Sequence, residues 1–330
     1  MPKIILDCDP GHDDAIAFLL AWANPSIELA AVTTVAGNQL LEKVTNNARS
    51  MATVAKLYDV PIAAGAAQPL VGEQIVPEAI HGESGLDGPQ LPEPKYPLDD
   101  RHAVNLIADI VRSNPDNTIH LVPTGALTNI ALFARTYPEL VEKVAGVTLM
   151  GGAYQVGNMT PAAEFNILAD PEAAAIVFQS NWEVTMVGLD VTHKVLATPD
   201  RLAQIQAVGT DVAHFVAELI DFFGQAYTQE YGFPGPPLHD ALAVAALIEP
   251  GLVRTVRAHV DVETQGQYTR GQTVVDFRRN FAHDPAILPT RDDPQPQARQ
   301  HNVAIDCDAE GFFQLLCDAL IRLGDTEFQC

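Results

Sequence analysis

The chain has 330 residues and is 47% hydrophobic, enough apolar matter for a sizeable core. Its 42 acids against 19 bases leave a formal charge of −23, which argues against nucleic-acid and anionic-membrane partners, since both demand basic patches. The same balance disfavours an anionic substrate and suits a neutral or cationic small molecule. The four cysteines, at 8, 307, 317 and 330, show no metal-ligand spacing, and a chain of this size needs no disulfide staples. Reduced thiols in the cytoplasm are therefore expected.

Met1-Pro2-Lys3 runs directly into Ile4-Ile5-Leu6, with no leader pattern before it. The apolar stretch from Ala15 to Ala23 is far short of a membrane span. The expectation is a soluble protein that is not exported.

Strand-like apolar runs alternate with helical patterns along the first two-thirds of the chain. Predicted strands are Ile4–Asp7, Leu29–Val35, Pro61–Gly65, Thr118–Pro123, Val144–Met150 and Val184–Gly188. Predicted helices cover 14–24, 39–58, 101–113, 126–136, 171–180, 211–231, 239–248 and 309–323. Such alternation defines an α/β fold, a mostly parallel central sheet with helices on both faces. Two stretches rich in Gly or Pro, 66–100 and 282–300, read as surface loops, and neither has the Gly/Ser composition of a flexible linker. One domain spanning 1–330 is expected.

The first strand and first helix enclose Asp7-Cys8-Asp9-Pro10-Gly11-His12-Asp13-Asp14, which crowds four carboxylates into one turn. Two like charges about 4 Å apart repel by roughly 4 kcal/mol at an effective dielectric near 20. Either some of these acids stay protonated or a cation holds them together. A cluster of oxygens without a Cys/His pair favours a hard ion, calcium or magnesium. Cys8 sits among the acids, which raise its pKa and blunt it as a nucleophile, so it is read as a small buried filler. A second Asp-Cys-Asp, at 306–308, lacks the Pro-Gly-x-Asp-Asp that follows the first. Asp308 there suits a helix cap.

Ligands bind at the carboxyl ends of strands in sheets of this kind, and three further segments fall there. In Pro123-Thr124-Gly125 the regular pairing is broken, so the Thr124 carbonyl is either a cation ligand or part of an ordinary strand-to-helix turn. Met150-Gly151-Gly152 is followed by Gly157-Asn158 and Glu164-Phe165-Asn166. There double glycine admits close approach to the backbone, and Asn and Glu suit sugar hydroxyls. His239-Asp240 opens an apolar helix, where Asp240 is a site acid or simply a cap. Tyr227 and Tyr231, with Phe223 and Phe233, either stack on a heterocycle or pack a helix into the core.

Taken together, these segments resemble the inosine-uridine preferring nucleoside hydrolase family. The stretch from Asp7 to Asp14 matches that family's N-terminal signature. Ala36-Gly37-Asn38, Ile80-His81-Gly82-Glu83-Ser84-Gly85, Val122-Pro123-Thr124-Gly125, Met150-Gly151-Gly152, Glu164-Phe165-Asn166, Asp170-Pro171-Glu172-Ala173 and His239-Asp240 follow in family order. The resemblance implies a Rossmann-like core and hydrolysis of the N-glycosidic bond of ribonucleosides, with purines and pyrimidines both accepted. It implies one calcium ion (Ca2+) per subunit, held by Asp9, Asp14, Asp240 and the Thr124 carbonyl, and Asp9 as general base toward water. Asp13, Asn166 and Asp240 would grip the ribose 2′- and 3′-hydroxyls, Asn158 and Glu164 the 5′-hydroxyl, and Asn38 either Asp9 or the sugar. His81, Tyr227 and Tyr231 would face the base, and His239 would be the acid for its departure. Asp7 would support these groups from behind. A homo-oligomer, tetramer or dimer, and a place in purine and pyrimidine salvage are implied as well. His12 stands where the family often has an aliphatic residue.

Two other readings compete with this one. A haloacid-dehalogenase-type phosphatase also places Asp-x-Asp after its first strand, but Pro10-Gly11 follows here, and no matching downstream Lys and acidic pair is found. A non-catalytic ribonucleoside-binding protein would keep the cleft without the chemistry.

Overall fold

The structure, a computed structural model, describes residues 1–57, 59–278 and 299–325. Six strands, β1 (Lys3–Cys8), β2 (Glu28–Thr34), β3 (Ile62–Ala64), β4 (Ile119–Pro123), β5 (Gly146–Met150) and β6 (Val184–Val187), alternate with helices as expected. They are short and apolar because a parallel sheet in the middle of an α/β fold is covered on both faces. Three more follow, β7 (Val253–Val262), β8 (Thr273–Asp276) and β9 (His301–Cys307). The nine strands form one sheet in the order β3-β2-β1-β4-β5-β6-β9-β7-β8. Pairing is parallel from β3 to β9, and antiparallel between β9 and β7 and between β7 and β8.

Each face carries its own core. Helices His12–Ala23, Asp211–Tyr231, His239–Ile248 and Ala309–Gly324 cover one, around Phe18, Leu19, Leu242 and Phe312. Ala103–Ser113, Thr128–Thr136 and Pro171–Gln179 cover the other, around Ile5, Ile107, Phe133 and Phe178. The helix His12–Ala23 is apolar nearly all round, and nearly all its residues are buried, as a helix wedged between other helices and a sheet must be.

This strand order positions the site. From β1 the chain runs outward to β2 and β3, then returns to the other side of β1 with β4. In open α/β sheets ligands bind outside the carboxyl ends of the strands where the order reverses. Here that crevice lies between the turn after β1, which carries Asp9, and the turn after β4, which carries Thr124.

The antiparallel end of the sheet and several short helices are not among the sequence expectations. Of the predicted loop 282–300, residues 282–298 lie outside the described residues. Asp308 caps its helix, accepting from the Gly311 N–H at 3.0 Å, so the second Asp-Cys-Asp is structural. Asp240 is not a cap: the helix His239–Ile248 begins after Leu238 and has no side-chain cap. Among the described residues no helix is long and apolar enough to cross a membrane.

Candidate active site

The acidic turn is buried outright: Asp7, Asp9 and Asp14 have no solvent exposure, and Asp13 has 5%. Asp13 and Asp14 occupy the first turn of the helix His12–Ala23, where the helix dipole favours negative charge. Asp14 Oδ2 accepts from the Gly11 N–H at 3.1 Å and from Asn38 Nδ2 at 3.0 Å, while its Oδ1 accepts from Thr124 Oγ1 at 2.8 Å. Asp240 arrives from the start of a distant helix. Ligand oxygens of Asp13, Asp14 and Asp240 lie within 4.8 Å of one another.

Asp9 sits deeper, between two glycines. A Cβ added at Gly37 would overlap Asp9 Oδ2, and one at Gly125 would stand 2.5 Å from Oδ1. The Asn38 N–H donates to Oδ2 at 2.7 Å. Among the described residues Oδ1 has no hydrogen-bond partner. A buried carboxylate oxygen without a partner is costly unless a cation or a ligand meets it.

Burial raises all these carboxyls, Asp13 to about 7, Asp14 to about 6, and Asp9 and Asp240 well above the usual carboxylate range. Mutual repulsion pushes Asp9, Asp13 and Asp240 further in that direction. Asp13 and Asp240 hydrogen-bond each other, which requires a proton when no cation is present. A divalent ion among them reverses this balance by favouring the charged forms. The donors are all oxygen, several of them carboxylate, as hard cations require. The residues therefore fit such an ion.

Asp7 stands behind the group. Its Oδ1 accepts from Thr33 Oγ1 at 2.6 Å and Asn129 Nδ2 at 2.8 Å, and burial raises its carboxyl to about 7. Cys8 is buried beside it, with Sγ 3.7 Å from the Thr33 carbonyl. Burial and the surrounding carboxylates hold its thiol well above its ordinary range. Cys8, Cys307 and Cys317 are free thiols.

A half-open cleft lies above the acids. Its lining includes Asp13, Asn38, His81, Thr124, Asn158, Glu164, Asn166, Tyr227, Tyr231, His239 and Asp240. All the sequence candidates thus meet there except Asp9 and Asp14, which do not line the cleft. Met150, Phe165 and Phe223 add apolar wall.

Several candidates have a structural partner. Glu164 caps the helix Phe165–Ala169 and accepts from the N–H groups of Gly152, Asn166 and Ile167 at 2.9, 2.8 and 3.1 Å. Asn158 Oδ1 accepts from the Phe165 N–H at 3.0 Å. Asn166 Nδ2 donates to the Thr124 carbonyl at 2.6 Å and to that of Met150 at 3.1 Å. The Thr124 carbonyl is thus shared already, although an oxygen with two lone pairs retains capacity for another partner. Tyr231 is 39% exposed, and its hydroxyl donates to the Asn158 carbonyl at 3.3 Å.

His239 is held at both ring nitrogens, with Nδ1 2.7 Å from Thr192 Oγ1 and Nε2 2.9 Å from the Tyr227 hydroxyl. Burial keeps the imidazole neutral and the Tyr227 hydroxyl protonated. Thr192, Thr33 and Asn129 were not singled out in the sequence. Each lies far along the chain from the group it supports, and nothing local marks it.

A parallel sheet with its strand reversal at β1 and β4, buried acids at that point and a cleft above them define a small-molecule site on an α/β scaffold. The chain belongs to the inosine-uridine preferring nucleoside hydrolase family, whose model matches residues 4–314, and it is therefore an N-ribosyl hydrolase. It is 49% identical over 329 residues to the inosine-uridine preferring nucleoside hydrolase of Crithidia fasciculata, covering 99% of this chain and 100% of that one. It is 46% identical over 318 residues to the pyrimidine-specific ribonucleoside hydrolase RihA of Salmonella arizonae, covering 96% and 97%. Among solved structures, a plant nucleoside hydrolase, PpNRh1, superposes with a TM-score of 0.87 at 29% identity, covering 97% of this chain and 99% of that one. A purine-preferring ribonucleoside hydrolase from Gardnerella vaginalis gives 0.86 at 33%, covering 98% and 99%.

Proposed function

We propose that the whole chain acts as one domain that hydrolyses the N-glycosidic bond of both purine and pyrimidine ribonucleosides, with calcium as its metal. Asp9, Asp14, Asp240 and the Thr124 carbonyl would hold the ion. When bound, calcium supplies the positive charge that keeps these acids ionised and makes a neighbouring water more acidic.

The chain's own groups divide the remaining work. The free Oδ1 of Asp9 takes the proton of the attacking water. Asp13, Asn166 and Asp240 hold the ribose 2′- and 3′-hydroxyls, Asn158 and Glu164 the 5′-hydroxyl, and Asn38 fixes Asp9 through its N–H. As the bond to the base lengthens, positive charge grows on the sugar ring, as in glycoside hydrolysis. Buried carboxylates close to the ring stabilise that charge. Electron density leaves with the base, and the hydrogen-bonded pair Tyr227–His239 supplies a proton to it. General acid help of this kind contributes about 10²–10⁴-fold. His81 and Tyr231 flank the base.

What supports this reading is that every proposed sugar- and base-contacting residue lines one cleft above one buried acid cluster. The named relatives differ in base preference, one inosine-uridine and one pyrimidine-specific, so the breadth proposed here needs its own test. Release of reducing sugar from inosine, adenosine, guanosine, uridine and cytidine, with and without a calcium chelator, provides it. Comparable turnover of inosine and uridine is expected. Loss of inosine turnover alone rejects the broad preference, and binding without ribose release rejects catalysis. A cytoplasmic homo-oligomer, tetramer or dimer, serving nucleoside salvage completes the proposal.

A further inference from the structure

His12 lies between the acidic turn and the His81 loop, and its hydrogen bonds determine which nitrogen of His81 carries the proton. Its Nε2 is 2.8 Å from the backbone carbonyl of Asp87, and its Nδ1 is 3.2 Å from Nδ1 of His81. The ring is stacked against Phe222, Phe223 and His81, with centroids 5.3, 5.2 and 5.4 Å away.

A carbonyl only accepts, so His12 Nε2 carries the hydrogen. A neutral imidazole then has a bare Nδ1. Two bare nitrogens cannot face each other at hydrogen-bond distance, so His81 Nδ1 must donate to it. That leaves His81 Nε2 without a proton, and it has no partner among the described residues. The edge of His81 formed by Nδ1 and Cε1 packs against Gly11, where an added Cβ would be 2.6 and 2.7 Å from those atoms. Nε2 is thus the ring nitrogen left for the cleft, which His81 lines.

The alternative tautomer has one partner ready. The His12 backbone N–H lies 3.4 Å from His81 Nδ1, at the long limit of hydrogen bonding. Without the His12 ring nitrogen, that N–H would be the remaining neighbour of Nδ1, and it favours a bare Nδ1 with the proton on Nε2. The His12 side chain therefore opposes what its own backbone would select.

We propose that His12 is a positioning residue that fixes His81 in the Nδ1–H tautomer, so that His81 presents an acceptor, not a donor, to the ligand. The class of ligand group it recognises is an N–H or O–H donor, such as a ring N–H or amino group of the base. This rests on the proposed reading of His81 as base-facing.

The test is long-range ¹H–¹⁵N correlation of the histidine rings in the intact protein, assigned with His81→Ala. His81 Nε2 is expected at a pyridine-type shift in the native protein and at a pyrrole-type shift in His12→Phe, which keeps an aromatic ring in the stack. His12→Gln can donate to the Asp87 carbonyl and accept from His81, and it is expected to restore the native pattern. Loss of kcat/KM for inosine and uridine in His12→Phe is expected to be about tenfold, and His12→Gln is expected to stay within about twofold of native. A protonated Nε2 in the native protein overturns the assignment even if His12→Phe does not fold. An unchanged His81 tautomer in His12→Phe, or equal losses in the two variants, overturns the positioning role. A tautomer as assigned with full activity in His81→Ala rejects instead the base-facing reading.

Discussion

The Asn38 N–H donates to Asp9 Oδ2 at 2.7 Å, while Oδ1 of the same carboxylate has no partner among the described residues. One oxygen is thus fixed and the other is left free to act. Gly37 and Gly125 allow this arrangement, because a side chain at either would reach the Asp9 carboxylate. Gly37→Ala is expected to displace that carboxylate and lower kcat by about 10²-fold or more, since a misplacement near 1 Å costs that much. Steady-state kinetics beside a thermal melt checks it. Native kcat in a folded Gly37→Ala variant contradicts the role given to Asp9.

With the proposed calcium at the acid cluster, stability is expected to depend on pH and calcium together. Burial raises Asp13 from 3.8 to about 7 and Asp14 from 3.8 to about 6 in the folded protein. Between those values the calcium-free folded state binds more protons than the unfolded state, so its stability falls as pH rises from about 4 to about 7. The proposed calcium would keep the acids ionised and remove this loss. At a hundredfold excess over Kd, it adds about 2.7 kcal/mol. Thermal melts across this pH window, with calcium and with chelator, are expected to give curves that diverge as pH rises. Parallel curves would count against a cation at these acids.

If His239 and Tyr227 supply the proton to the base as proposed, they are expected to matter in proportion to how poor the leaving group is. His239→Ala is expected to lower kcat for inosine by about 10²–10⁴-fold, the usual range for general acid catalysis. Nitrophenyl riboside, whose leaving group departs without a proton, should lose far less. Tyr227→Phe is expected to show the same pattern more weakly, by about tenfold. Equal losses on both substrates would show that the pair holds the cleft together without supplying a proton.

Sugar recognition is expected to be strict. Sites that hydrogen-bond a substrate hydroxyl reject analogues lacking it by about 10⁴–10⁵-fold. Asp13, Asn166 and Asp240 all line the cleft, and the 2′-hydroxyl is among their proposed partners. Comparing kcat/KM for uridine and 2′-deoxyuridine checks this. Comparable values remove these residues from the 2′-hydroxyl.

Much of this was legible in the sequence because the parallel core has loud signals. β1, β4 and β5 are apolar runs ending in Asp, Pro-Thr-Gly or Gly-Gly, so strand and site are marked together. The antiparallel end was missed for a physical reason: β7 mixes exposed, half-buried and buried residues, so it forms no continuous apolar run. Asp240 looked like a possible cap because Asp is common at helix starts. Only the fold brings its carboxylate within 4.8 Å of those of Asp13 and Asp14. The roles of Thr192 and Asn129 depend on contacts across 47 and 122 residues, which no local pattern encodes. Glu164 is expected from the resemblance to be a sugar ligand; what the structure shows is that its three backbone partners make it an anchor of its own loop.

The most direct measurement is ribose release from inosine by the calcium-loaded Asp9→Asn variant, with the native protein alongside. Asn fills the same space between Gly37 and Gly125 but is a far weaker base. A loss of about 10²–10⁴-fold, measured at calcium concentrations that saturate the variant and with the melting temperature retained, is expected if Asp9 takes the proton of the attacking water. Native activity in that variant would contradict it.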